Sequence, residues 1–124
     1  MSKYNAIHFK LIFEGAQKVA QAAGERWMAE HQNPAYLVKD GFTGRVVGSM
    51  LDVCGRCYVQ VDDRRSAFAK WAKANDFLSH KWLHLRVPLE MRQEMGLHEA
   101  MSTAARDHLA GHGIKGLSLY SWID

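Results

Sequence analysis

The sequence predicts an α+β fold: one small domain in which two to three helices pack on a sheet of about four strands. Two observations carry this prediction. Apolar side chains recur every three to four residues near both ends of the chain, which is typical of amphipathic helices. Apolar and polar residues alternate in the segments 57–61, 82–87 and 117–122, which is typical of half-buried strands.

The first helix is predicted from a stripe of mostly small residues that recur at helical spacing: Ala16, Val19, Ala20, Ala23 and Trp27. Gly15 and Gly24 weaken this helix but let another element approach it closely. Asn33 and Pro34 are expected to end it, because the residue before a proline avoids the helical conformation.

The middle of the chain is predicted to form short strands. Tyr36–Val38 and Arg45–Leu51 are brief apolar stretches between glycines. In Cys57–Val61 the apolar residues alternate with polar ones, and in Trp82–Val87 the same pattern continues until Pro88 ends the strand.

Two further helices are predicted in the second half. Asp63 or Ser66 can cap a short helix whose buried stripe is Ala67, Phe68, Trp71 and Ala72. The last helix is predicted from the residues Leu97, Ala100, Met101, Ala104, Ala105, His108 and Leu109. Gly111 and Gly113 are expected to end it, with Ile114 in a Schellman-type apolar contact.

Length and composition favour a globular protein without a membrane segment. The chain has 124 residues, 48% of them apolar and 23% charged, with a formal net charge of +3. Residues 1–15 lack the apolar core of a signal peptide, and no apolar stretch is long enough to span a membrane. Two cysteines close together without a secretion signal favour a reducing, cytoplasmic compartment.

The cysteines and two histidines form the most metal-like pattern in the sequence. Cys54 and Cys57 form a C-x2-C motif, and His80 and His84 form an H-x3-H motif. Twenty-two residues separate Cys57 from His80, whereas a classical zinc finger has about 12. We therefore expect two reduced cysteines and no metal or other cofactor, with zinc or a redox dithiol as the alternatives.

No motif for catalysis is present. The sequence contains no G-x-S-x-G nucleophile elbow, no P-loop and no G-x-G-x-x-G fingerprint. Carboxylates are plentiful, but no motif fixes the distance between any two of them. The chain is therefore not expected to be an enzyme.

The predicted strands place aromatic and basic residues on the side opposite their buried residues. This set comprises Tyr58, Trp82, His84, Arg86, Tyr120 and Trp122. Such a face can anchor a protein partner, because Trp, Tyr and Arg dominate interface hot spots. It can also stack nucleic-acid bases. We expect, however, that the small-residue stripe of the first helix covers this face, because such a stripe suits close packing on a sheet.

A second candidate surface is basic. It comprises Arg64, Arg65, Lys70, Lys73 and Lys81, around the predicted short helix. These cations can neutralise phosphates of a nucleic acid. The alternative interpretation is an ordinary solvated, charged helix face.

Three segments carry a resemblance to known proteins. Val53-Cys54-Gly55, the run SAFAKWAKAN at 66–75 and the run HGIKGLSLYSWID at 112–124 resemble segments of small phage-encoded proteins, over roughly residues 53–124. The chain departs from that pattern at Arg56-Cys57. The resemblance implies a phage or prophage origin and action in the host cytoplasm, but no particular activity or site residues.

The functional hypothesis combines this resemblance with the lack of a catalytic motif. A binding protein that sterically inhibits a host protein is expected, most simply a component of a host defence system, in the manner of an anti-CRISPR protein. A nucleic-acid-binding accessory protein is the second hypothesis, and a virion or assembly component is the third. The chain is expected to be a monomer or a homodimer.

Overall fold

The computed structural model describes residues 6–31, 36–39, 46–50, 52 and 54–123. The helices in this part of the chain are α1 (Ala6–Glu30), α2 (Ala67–Ala74) and α3 (Met95–Gly111), with a 3-10 helix at Pro88–Met91. The strands are β1 (Tyr36–Lys39), β2 (Val46–Met50), β3 (Gly55–Val61), β4 (Leu78–Ser79), β5 (Trp82–Leu83) and β6 (Leu117–Ile123). The predicted α+β class is confirmed.

The main sheet has four antiparallel strands in the order β4-β5-β3-β6. β3 and β6 pair without interruption from Gly55 opposite Ile123 to Val61 opposite Leu117. β1 and β2 form a separate antiparallel pair. These two strands match the predicted apolar stretches, although Arg45 and Leu51 lie outside the described residues.

α3 contacts both α1 and the main sheet. Its Ser102 Oγ donates a hydrogen bond to the carbonyl oxygen of Cys57 at 2.7 Å, which fixes the helix on the inner face of β3. α1 packs along α3. Gly15 permits this close crossing, since an added Cβ would overlap the ring of His108. Leu97, Met101 and other buried residues of the helices and the sheet form one hydrophobic core.

Both ends of α3 are satisfied by defined contacts. At the N-terminus, Asp52 Oδ2 accepts the backbone N–H of Gly96 at 2.7 Å. At the C-terminus, the N–H of Ile114 donates to the carbonyl of Leu109 at 3.1 Å, and the Ile114 side chain is buried. The predicted end of this helix is therefore confirmed.

α2 begins as predicted. Ser66 Oγ accepts the N–H of Ala69 at 3.1 Å, so Ser66 is the N-cap. Phe68 and Trp71 then pack against Phe9 of α1, with ring centroids 5.7 and 6.1 Å away. The predicted end of α1 at Asn33-Pro34 lies outside the described residues.

The predicted strand Trp82–Val87 is wrong in length. β5 ends at Leu83, although Leu85 and Val87 remain buried as the alternation predicts. The Glu90 side chain replaces a strand partner, because its Oε2 accepts the N–H groups of Leu85 and Arg86 at 2.9 and 3.1 Å. Arg86 also has a φ of 59°, which takes the backbone out of strand geometry.

Candidate partner-binding face on the sheet

The outer face of the main sheet follows from the strand register. In β3, the inward residues are buried, so Arg56, Tyr58 and Gln60 point outward. Arg56 stands opposite Trp122 and Tyr58 opposite Tyr120. Because opposed residues of antiparallel strands project to the same side, these side chains form one surface. The predicted aromatic face is therefore a real juxtaposition across three strands.

Four rings on this face contact one another, and we call Tyr58, Trp82, Tyr120 and Trp122 the aromatic cluster. The Trp82 centroid lies 5.3 Å from that of Tyr120 and 5.9 Å from that of Trp122. The Tyr58 centroid lies 5.6 Å from that of Trp122. These separations fall in the range of favourable aromatic pairs, so the rings hold one another in place. Tyr120 remains 50% exposed.

The first helix does not cover the aromatic cluster. α1 packs on α3, on α2 and on the 3-10 helix, and α3 lies on the inner face of the sheet. The expectation that α1 covers the aromatic face is therefore wrong. Its small-residue stripe, including the fully buried Ala16 and Ala20, serves a close helix–helix contact instead.

His84 extends the aromatic cluster at one side. Its ring meets that of Tyr58 edge-on, with 5.4 Å between centroids. His84 Nε2 lies 2.6 Å from Ser79 Oγ, and burial lowers the pKa of His84. The imidazole of His84 therefore stays neutral to a lower pH than that of an ordinary histidine.

Arg86, the remaining predicted anchor, lies apart from the rings. Its Nη2 donates to the carbonyl of Asp76 at 2.9 Å. It lines a surface groove of about 590 Å³ together with Arg56, Glu90 and Met91. Arg86 therefore contributes positive charge at a border of the face and not an aromatic contact.

The basic candidates meet the aromatic cluster at the turn between β4 and β5. Lys81 Nζ lies 5.2 Å from the centroid of the Trp82 ring, within the range of a cation–π contact. His80 lies in the same turn, and its Nδ1 is 3.2 Å from Nη1 of Arg64, which precedes α2. The structure thus joins two candidate surfaces that the sequence left separate.

The other predicted cations are more scattered. Arg65 is exposed in the turn before α2, where its N–H donates to Asp63 Oδ1 at 2.9 Å. Lys70 and Lys73 are exposed on α2 itself. This part of the basic group is a solvated surface beside the candidate face.

Sequence reasoning missed the polar border of the face. Asp62 Oδ1 accepts hydrogen bonds from Gln60 Nε2 at 2.9 Å and from Ser118 Oγ at 3.0 Å. Gln60 and Ser118 are opposed in the sheet, next to Tyr58 and Tyr120. The same two-residue period that identified the aromatic residues also places Arg56, Gln60 and Ser118 on this face.

The four metal candidates are not brought together. Cys57 points to the core, where burial raises the pKa of its thiol, whereas His84 lies on the outer face. Cys54 Sγ donates to Gln93 Oε1 at 3.7 Å, and His80 contacts Arg64. Within the described residues, no group of three or more His, Cys, Asp or Glu side chains is arranged to hold a metal.

Among the described residues, the most deeply buried carboxylate belongs to Glu94 at the start of α3. Burial raises the pKa of Glu94, but hydrogen bonds from the Arg92 guanidinium and a backbone N–H outweigh it, so the pKa is lowered overall. His98 Nε2 lies 2.6 Å from the carbonyl oxygen of Arg92 and links the same segment to the helix. This cluster is satisfied internally and has a structural role.

In the described ranges, no helix combines the length and the apolar character needed to cross a membrane. Comparison with protein-family models, with curated proteins and with solved structures gives no match to this chain. The resemblance to small phage-encoded proteins therefore stays a prediction.

Proposed function

We propose that this chain is a non-enzymatic binding protein that uses the aromatic cluster to occupy a surface of a host protein. The observation that carries the proposal is the set of mutually packed rings on a sheet face that α1 leaves uncovered. Tyr120 is exposed and the other three rings are half-buried. Solvent-accessible aromatic rings that form one patch with a polar border are typical of an interaction site.

The arrangement of the rings suits binding. Trp and Tyr contribute the largest energies in protein interfaces, and they do so best when they enter the contact already ordered. In the aromatic cluster each ring packs on at least one neighbour from another strand. Little side-chain freedom then remains to be lost when a partner covers them.

The charges around the rings indicate the chemistry of the partner. Arg56 stands opposite Trp122 at one end of the cluster, and Lys81 lies over Trp82 at the other. The chain as a whole carries a formal charge of +3. We expect an apolar contact site bordered by acidic residues on the partner. A component of a host defence system in the bacterial cytoplasm is our specific proposal, on the strength of the phage resemblance.

The proposed mechanism is steric. The surface around the aromatic cluster offers hydrogen-bonding and apolar groups. Once bound, the chain prevents the partner from making its usual interactions at the surface that it covers. The affinity is expected to depend on a few anchors, of which Tyr120 is the most exposed ring.

The test is capture of the partner by wild type and by Tyr120→Ala. Tagged protein is incubated with nuclease-treated bacterial lysate, and bound proteins are identified by mass spectrometry. Leu11→Ala is the matched control, because Leu11 is a similarly exposed apolar residue on α1. We expect one stoichiometric partner with wild type and the control, and at least about 10-fold less with Tyr120→Ala. Equal capture by all three proteins would refute the role of the aromatic cluster.

A second function is favoured by one observation, the position of Lys81 over the Trp82 ring. A cation beside aromatic rings is the arrangement that binds single-stranded nucleic acid, with rings for bases and cations for phosphates. Fluorescence anisotropy with a labelled single-stranded oligonucleotide tests it. Binding should weaken steeply with salt, and Lys81→Ala should reduce the salt dependence. No binding at low salt would rule out this function.

A further inference from the structure

The two edges of the main sheet differ in length. β4 has two residues, whereas β6 has seven, Leu117–Ile123. Among the described strands, β6 pairs only with β3, so its other side is an edge. A strand edge presents backbone N–H and C=O groups that another strand can pair with.

β6 has none of the features that usually protect an edge. Natural edge strands are short, bulged, or interrupted by charged residues or proline. β6 reads LSLYSWI, without charge, proline or glycine, and its register with β3 is unbroken over all seven pairs. Its Ile123 side chain is 65% exposed. This edge is a ready template for one more strand.

We propose that a second copy of this chain supplies that strand, through antiparallel pairing of β6 with β6 around a two-fold axis at Tyr120. Tyr120 is the middle residue of β6. A two-fold axis there places Leu117 opposite Ile123 and Leu119 opposite Ser121 on the inner side, with Ser118 opposite Trp122 on the outer side. Both copies then contribute the same residues to the interface, as closed two-fold symmetry requires.

The side chains support self-pairing. The exposed Ile123 would be covered by the half-buried Leu117 of the second copy, an apolar pair. No like charges would oppose each other within the paired segment, because β6 carries none. The two Tyr120 rings, each 50% exposed, would also shield each other.

The dimer would continue an existing sheet. Two four-stranded sheets joined at β6 give one eight-stranded antiparallel sheet, with both aromatic clusters on the same side. Pairing through seven residues is smaller than the roughly 20–30 residues a side of a standard interface, so dissociation on dilution is expected. This inference does not rest on the proposed function.

Sedimentation velocity over a concentration series tests the dimer. Wild type should shift from monomer to dimer as concentration rises, whereas Ile123→Lys should remain monomeric, because it places a charge against Leu117 of the second copy. Leu11→Lys is the matched control: it adds a lysine at a similarly exposed apolar position on α1 and should dimerise like wild type. Thermal melting shows whether each variant is folded. A wild type that stays monomeric at high micromolar concentration, or an Ile123→Lys variant that dimerises normally, would overturn the proposal.

Cysteine cross-linking tests the register. In Tyr120→Cys, the new thiols would lie directly opposite each other and should form an intersubunit disulfide when diamide accepts their two electrons and protons. In Ser121→Cys, the two thiols would be diagonal neighbours, roughly 7–8 Å apart, and should cross-link at least several-fold more slowly. Wild type, with its own two cysteines, gives the background. Equal rates for the two variants on non-reducing gels would overturn the proposed axis.

Discussion

Asp52 accepts the backbone N–H of Gly96 through Oδ2 at 2.7 Å, although the two residues are 44 positions apart in the chain. Gly96 lies in the first turn of α3, and the N-cap residue Glu94 makes no side-chain cap hydrogen bond. A carboxylate from a distant segment thus performs the task of a local cap. It also places negative charge at the positive end of the helix dipole.

Removing this contact should destabilise the fold. We expect Asp52→Ala to lower the free energy of unfolding by about 1–2 kcal/mol, the usual cost of losing a charged cap. Asp52→Asn should cost less, because its amide oxygen can still accept the N–H. Urea denaturation measures both. Asp107→Ala is the control, since this exposed carboxylate near the end of α3 forms only a surface ion pair and should change little. An Asp52→Ala variant as stable as wild type would contradict the capping role.

Gly55 is required where three elements converge. A Cβ at this position would lie 2.6 Å from the Trp122 carbonyl oxygen and 2.8 Å from Met95 Cβ. The backbone of β6 cannot yield without disturbing the sheet, so Gly55→Ala should destabilise by about 1–3 kcal/mol. Gly111→Ala is the matched control, because nothing lies within 4 Å of its added Cβ. Since alanine favours a helix more than glycine does, this variant should raise the free energy of unfolding by up to about 1 kcal/mol. Equal stabilities in thermal melts would show that the Gly55 contact is not tight.

The locally determined parts of the fold were predictable from the sequence. The Ser66 cap and the end of α3 near Ile114 depend on residues within a few positions of one another, and both are confirmed. The aromatic face was also predictable, because strand alternation places Tyr58 and Tyr120 opposite the buried side regardless of strand order.

Long-range packing could not be predicted in this way. A stripe of small residues such as Ala16 and Ala20 fits a helix as well as a sheet, so the sequence did not reveal that α1 packs on α3. The contact of Lys81 with the Trp82 ring depends on the side-chain conformations of these two neighbouring residues, which alternation does not specify. The early end of β5 depends on the Glu90 side chain, which replaces a neighbouring strand.

The two cysteines should differ in reactivity. Burial raises the pKa of the Cys57 thiol, which reduces the reactive thiolate and blocks access to it, whereas Cys54 is half-buried. We expect a thiol-alkylating reagent at mildly alkaline pH to label Cys54 at least about 10-fold faster than Cys57. Mass spectrometry of tryptic peptides over time measures the ratio, and urea-unfolded protein gives the control in which the rates converge. Rapid labelling of Cys57 in the folded protein would instead support a redox or metal-binding thiol.

Two half-buried histidines, His84 and His108, should make stability depend on pH. Burial lowers the pKa of His84 and of His108 below the ordinary value of 6.5, so around and below that pH the unfolded chain binds more protons than the folded one. Stability should therefore fall as the pH drops from about 7.5 to about 5.5. The lowered pKa of Glu94 acts in a separate pH range, near and below its ordinary value of 4.5, where protonation removes its stabilising effect.

The variant His84→Gln tests the contribution of His84. It keeps a polar group near Ser79 that cannot gain a proton. Its stability should therefore depend less on pH between pH 7.5 and 5.5 than that of wild type. Urea midpoints measured across that range give both slopes, and identical slopes would exclude His84 as a source of the pH dependence.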